Sequence, residues 1–218
     1  MHTPRPVGRF YGYPYCWSEH TLPAPHARGQ TSQWVWPSFA ATHSDEWCSD
    51  SANVVPPEMV MPAHTAPLGL SFFGAQEAHL SSPPPCPAEP ALNSSTEAAE
   101  VGSGDGGGAF PCDWAGDAFV SQHGSWNRDV PIGYAVVRLP FDSAGGRPSG
   151  EVANLLAHGG QGAKWPSGFR PTDCTFDRRG RLLVSSDKSD EIVRISYNYR
   201  TPPSPPGAPP PPPSAPPP

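Results

Sequence analysis

Short apolar runs, each bounded by glycine, proline or a polar turn, dominate the chain between residues 117 and 198. DAFVSQ, GYAVVRLPF, EVANLL, TDCTFD, RLLVSSD and EIVRISY each read as a strand. The clearest stretch is TDCTFDRRGRLLVSSDKSDEIVRISY. It predicts three short strands with a tight turn at Arg179-Gly180 and a second at Lys188-Ser189-Asp190. That is a meander, the unit from which propeller blades are built. Upstream, WVWPSFA and APLGLSFF, within residues 10 to 80, are rich in aromatic and aliphatic residues and predict strands of an earlier blade. No segment repeats apolar residues at helical spacing over a helix length, so the expected fold class is all-β.

Two stretches break this pattern. Residues 81–109, SSPPPCPAEPALNSSTEAAEVGSGDGGGA, combine proline, serine, glycine and acidic residues. They offer too little apolar area to offset the entropy of ordering them, and read as a long disordered insertion within a domain. Residues 203–218, PSPPGAPPPPPSAPPP, are pre-set to polyproline II and read as an extended tail. The expected organisation is one domain over 1–200 and a disordered proline-rich tail over 201–218.

Composition narrows the function classes. The 218 residues include 33 prolines and 22 glycines, which suits many turns and few helices, and only 16% are charged. A net charge of −6 provides no basic face for a nucleic acid. No run of about 18 apolar residues is present to span a bilayer, and MHTPRPVGRF lacks the apolar core of a secretory signal. Cys16, Cys48, Cys86, Cys112 and Cys174 have no zinc-site spacing. They are read equally well as up to two disulfides with one thiol left over or as five free thiols, and so leave the compartment open.

Four stretches, taken in order, carry a family resemblance: FYGYPYCW at 10–17, HTAPLGLSFF at 64–73, GDAFVSQHGSWNRDVPIGYAVVRLPF at 116–141 and FRPTDCTFDRRGRLLVSSDKSDEIVRISY at 169–197. The run HGSWNR, then GY and a strand ending in RLPF, then RP, FD, G and LLVSSD, resembles the soluble quinoprotein glucose/sorbosone dehydrogenases, which include pyranose and L-sorbosone dehydrogenases. The resemblance implies part of a six-bladed β-propeller, about three blades, entered near the fourth. It implies pyrroloquinoline quinone (PQQ) and calcium as cofactors, a sugar hydroxyl or aldehyde as substrate, a separate electron acceptor, and an extracellular setting. It also implies that the general-base histidine and an Arg-Asn pair sit in the family's N-terminal half. No segment before Phe10 is available here to hold them, so a fragment without the catalytic base is expected.

PQQ bears three carboxylates and an ortho-quinone, so its site calls for fixed cations, a polarising metal and flat groups. Arg170, in FRPTD, matches the family's carboxylate-binding arginine; the alternative is an arginine capping a loop through backbone carbonyls. Where a second arginine is sometimes found, Thr172 stands. The HGSWNR loop offers His123, Trp126 and Arg128. His123 is read either as a channel residue or as a loop histidine bonded to backbone, Trp126 rather as packing between blades, and Asn127 as a turn residue. His64 is divided between channel and structural roles; Tyr11 and Tyr13 are read as packing in preference to a place near the calcium, and Lys164 as solvated in preference to extending the cationic lining. Calcium has no local signature. Two functions follow: a PQQ-dependent sugar oxidoreductase, or a non-catalytic propeller remnant acting as an extracellular or cell-wall module through its proline-rich tail.

Overall fold

A computed structural model describes residues 8–74, 108–142, 146–159 and 162–197. Residues 81–107 of the biased stretch, and the tail 201–218, lie outside them. The fold is nearly all-β, as the sequence predicts: nine strands and one five-residue helix are found among the described residues.

The N-terminal unit is the part the hydrophobic pattern reads least well. Strands β1 (Cys16–Ser18) and β2 (Gln33–Val35) pair antiparallel with Cys16 opposite Val35. The rest of WVWPSFA forms no strand. Pro37 has no N–H and a fixed φ, which suits the first turn of a helix, and Pro37–Phe39 coil into a 3-10 turn. Helix α1 (Asp45–Ser49) follows, capped by the Ser44 hydroxyl accepting the Trp47 N–H at 3.2 Å. Two paired three-residue strands and a one-turn helix cannot hold themselves together. The Cys16–Cys48 disulfide ties strand to helix around Val54, with Phe10, Tyr15, Val35 and Trp47 packed on it. The reading of five free thiols is thus set aside: Cys112 is also disulfide-bonded, and Cys174 is free and buried.

Glu19 fastens the loop between β1 and β2. Buried to 1% exposure, its carboxylate accepts the Arg28 N–H at 3.0 Å, the Gly29 N–H at 3.2 Å and the Trp34 indole N–H at 3.0 Å. Arg28 then lies 3.8 Å over the Trp34 ring and pairs with Asp45 at 2.9 Å.

The two remaining sheets are meanders. Strands β3 (Pro67–Phe72), β4 (Ala118–Gln122), β5 (Ala135–Leu139) and β6 (Ala153–Ala157) form one in sequential order. Strands β7 (Pro171–Phe176), β8 (Leu182–Ser186) and β9 (Glu191–Ile195) form the other. APLGLSFF thus opens the same sheet as DAFVSQ, even though the biased stretch separates them in sequence, and does not belong to an earlier blade. All of β4 is buried because both its faces are covered. Phe119 and Val136 point toward Phe176, Leu182 and Val184 of the second sheet, while Val120, Ala135 and Val137 face Met59 and Met61. Gly69 sets the closeness of the two sheets. A Cβ there would stand 2.6 Å from the Asp173 Cα, so β3 meets β7 only because that position carries no side chain.

Two outcomes test the N-terminal unit. Cys16→Ala with Cys48→Ala, opening a separation of 32 residues, is expected to cost about 3–4 kcal/mol in urea denaturation. For Glu19, burial acts to raise the pKa, but the N–H donors of Arg28, Trp34 and Gly29 outweigh it and hold the carboxyl below its usual value of 4.5. A depressed folded pKa stabilises above the unfolded value and is lost as pH falls through the folded one. The stability difference between wild type and Glu19→Gln should therefore hold constant from neutral pH to about 4.5 and close in more acidic solution.

Candidate functional site

The exit of β4, the exit of β8 and the entries of β3, β5 and β7 lie at one end of the paired sheets. That end gathers His123, Asp187, His64, Tyr134 and Arg170, each next to a strand terminus or within three residues of it. The loop after β4 folds back first. His123 N–H and Gly124 N–H donate to the carbonyls of Ala66 and Thr65 at 2.9 and 3.0 Å, joining the HGSWNR loop to the turn before β3. Ser125 closes the loop tip: its N–H donates to the Ile132 carbonyl at 2.9 Å, and its hydroxyl accepts the Ile132 N–H at 3.1 Å. The Tyr134 hydroxyl donates to the Ser125 carbonyl from a ring that is only 3% exposed.

Arg170 locks this loop to the second sheet. Its Nε donates to the His123 carbonyl at 3.1 Å and its Nη2 to the Gly124 carbonyl at 2.9 Å, with the guanidinium carbon 5.3 Å from the Tyr134 ring centroid. The loop-capping role is thus the one the geometry displays. Neither of these bonds uses Nη1. The His123 imidazole, half-buried, is bonded to a carboxylate and not to backbone: its Nε2 lies 2.8 Å from Asp187 Oδ1. The hydrogen bond from His123 holds the Asp187 carboxyl below its ordinary range, against a smaller opposing effect of burial. Thr172, two residues after Arg170, turns its hydroxyl to the Arg170 carbonyl at 3.2 Å and accepts the Asp187 N–H at 3.3 Å.

The other candidates are dispersed. Trp126 is 83% exposed at the loop tip, so the expected packing between blades does not occur there. Arg128 is exposed, its Nε bonded to the Val130 carbonyl at 3.2 Å. His64 is exposed at φ 69°, in the turn whose carbonyls hold the loop. Lys164 is exposed, while the neighbouring Trp165 donates its indole N–H to the Tyr134 carbonyl at 2.7 Å. Tyr11 and Tyr13 are 55% and 88% exposed, contrary to the packing expected of them. Sequence reasoning missed Asp187 and Tyr134. Both stood inside quoted motifs, in SSD and GY, as a strand-end acid and a strand-start aromatic, and only the pairing of strand ends reveals their partners.

What results is a half-buried imidazole oriented by a carboxylate, beside a guanidinium whose Nη1 takes no part in the loop bonds. Such a group of donors suits an anionic, planar ligand. Among the described residues, no three or more His, Cys, Asp or Glu side chains come together as a metal site.

Comparisons with known proteins show what the chain as a whole is similar to. A family model described as TrAA12-like matches residues 2–198. A pyrroloquinoline quinone-dependent pyranose dehydrogenase of Coprinopsis cinerea is 28% identical over 209 residues, covering 87% of this chain and 23% of that protein. An uncharacterized protein of Borreliella burgdorferi is 27% identical over 147 residues, covering 67% of this chain and 30% of its own length. Among solved structures, an iodide structure of the Trichoderma reesei carbohydrate-active enzyme of family AA12 has a TM-score of 0.52 at 25% identity, over 85% of this chain and 38% of that one. The holo form of the pyranose dehydrogenase PQQ domain from Coprinopsis cinerea shares the fold, with a TM-score of 0.54 at 24% identity over 88% of this chain and 41% of that one. The chain therefore spans well under half of each of these relatives.

Gly124 tests the loop. At φ 93°, a Cβ would fall 2.4 Å from the Tyr134 ring. Gly124→Ala is expected to cost about 2–5 kcal/mol in denaturant unfolding, from left-handed backbone strain and overpacking together. Gly116→Ala, at φ 91° with open space around it, carries the strain alone, about 1–2 kcal/mol.

Proposed function

Since the chain belongs to the TrAA12-like family, we propose that it forms the PQQ-binding part of an oxidoreductase acting on sugar hydroxyls or aldehydes. The observation that carries this reading is the bridging of Arg170 to the His123–Gly124 carbonyls beside the His123–Asp187 pair. The donor set fits the cofactor. PQQ is a flat tricarboxylate, and Arg170 Nη1, Arg128 and the His123 imidazole supply hydrogen-bond donors around one end of the sheets, with Trp126 as an exposed flat group. His64 completes the assignment on the turn before β3. When bound, PQQ supplies the two-electron acceptor, and a separate acceptor restores it.

The chain's own residues bind and orient. Arg170 does both: two of its nitrogens hold the loop in place, and Nη1, which neither bond uses, is assigned to the cofactor as a charge-assisted donor. Asp187 fixes the ring orientation of His123. No side chains in the described residues assemble a calcium site, and no role is derived for that ion. The Cys16–Cys48 disulfide supports an oxidising compartment, in keeping with an extracellular setting.

Titration of the whole chain with PQQ tests the reading. Arg170→Ala is expected to weaken binding by about tenfold to a hundredfold, the range for a lost charge-assisted hydrogen bond. Arg170→Lys should restore only part of that loss, because an ammonium keeps the charge without the fork. Arg178 and Arg179, exposed in the β7–β8 turn, should be replaceable without effect. A lowered melting temperature with unchanged PQQ affinity would reduce Arg170 to a loop cap and overturn the assignment.

A further inference from the structure

The turn before β3 is joined to the exit of β4 by a side-chain contact as well as by the backbone bonds of Thr65 and Ala66. Thr65, 3% exposed, closes the turn by donating its hydroxyl to the Pro62 carbonyl at 3.0 Å. Just ahead of it, Met61 is half-buried and packs, with Met59, on the cluster of Val120, Ala135 and Val137. Its sulfur accepts the side-chain amide of Gln122 at 3.5 Å. Gln122 is the last residue of β4 and the neighbour of His123.

The pairing is mismatched. Gln122 is 5% exposed, and among the described residues its side chain has the Met61 thioether as its one hydrogen-bond partner. A carboxamide carries two N–H donors and sulfur is a weak acceptor, whereas buried polar groups are normally better matched. Beside Gln122 lies a cavity of about 270 Å³, lined also by His20, Pro62 and Thr65. Val152, 44% exposed, lines it too, so the space reaches solvent and leaves the amide room to turn.

We propose that Met61 is a site of oxidation by hydrogen peroxide, and that the Gln122 amide receives the sulfoxide so formed. A sulfur lone pair attacks one peroxide oxygen and the O–O bond breaks. The other oxygen leaves as hydroxide and takes up the proton of the first, giving water, so the thioether loses the two electrons that the peroxide gains. The new oxygen is a strong acceptor on the very atom the amide already contacts, and rotation of either flexible side chain brings donor and acceptor together. Oxidation of a packed methionine ordinarily disrupts a core. Here it exchanges a weak hydrogen bond for a strong one and holds the turn at 61–66 more firmly against the loop that carries His123. Met59 packs on the same cluster with no hydrogen-bond donor among the described residues, and is the internal comparison. The proposal goes beyond the cofactor reading and stands without it.

The test uses the whole chain without PQQ, treated with hydrogen peroxide, with the oxidised positions mapped by peptide mass. The chain has three methionines, so Met59→Leu leaves Met61 as the one methionine open to oxidation among the described residues. Sulfoxide at Met61 should then leave the melting temperature unchanged or raise it by about 1–4 °C. With Gln122→Leu added, the same oxidation should lower it by about 2–8 °C, because the new oxygen has lost its donor. Sulfoxide at Met59, formed in Met61→Leu, should lower it whether or not Gln122 is present. By NMR, the Gln122 side-chain amide resonances should move when Met61 is oxidised and stay in place when Met59 is. That readout keeps the test decisive if Gln122→Leu does not fold. A fall in melting temperature when Met61 alone is oxidised, unmoved Gln122 resonances, or a Met61 that stays reduced while Met59 oxidises would overturn the proposal. Failure of PQQ to bind would not touch this result, because no cofactor is present.

Discussion

The Arg170 guanidinium is the constraint on which the candidate site depends. Its residue immediately precedes β7, in the second sheet, and its two hydrogen bonds end on carbonyls of the loop leaving β4, in the first. One planar side chain thereby sets the position of His123, whose imidazole then meets Asp187 at the exit of β8. Two forked donors fix both distance and orientation, as a single ammonium would not. Backbone capping uses Nε and Nη2, so the ligand contact we propose for Arg170 is assigned to a different nitrogen.

That bridge has a fixed geometry only because the two sheets beneath it are locked. Phe119 and Val136 of the first meander interlock with Phe176, Leu182 and Val184 of the second, and β3 approaches β7 through Gly69. Asp117, buried, holds Arg138 at 2.6 Å and the Phe141 N–H at 2.7 Å, pinning the opposite end of β4 and β5. On the other face, Met59 and Met61 pack on the cluster formed by Val120, Ala135 and Val137. Rigid strands carrying a loop-borne site is the usual division of labour in all-β proteins.

The strands were legible where apolar alternation and turn residues agreed. Each of the six runs between 117 and 198 corresponds to one strand, with β6 running one residue past EVANLL and β7 starting one before TDCTFD, and the turns at Arg179-Gly180 and Lys188–Asp190 fall where glycine and polar residues allow them. The pattern failed at WVWPSFA, because a run of large side chains says nothing about the donor that Pro37 lacks. Site residues divided the same way. His123 and Arg170 were visible as motif members, whereas their bonding depends on two strand ends 47 residues apart in sequence. Trp126 was expected in the core because tryptophan usually is, but the eight-residue loop closed by Ser125 and Ile132 carries it out into solvent. The cavity beside Gln122 left no trace in the sequence, since its lining comes from residues as far apart as His20 and Gly162.

The central claim is that the end of the sheets organised by Arg170 is where PQQ binds, and the backbone amides of that end report it most directly. Adding PQQ to the isotopically labelled whole chain should shift the amide resonances of His123, Gly124, Arg170 and Asp187 together, with saturation at a common affinity, while those of the Arg178–Arg179 turn stay fixed. Shifts confined to other surfaces, or none at saturating PQQ, would contradict the account.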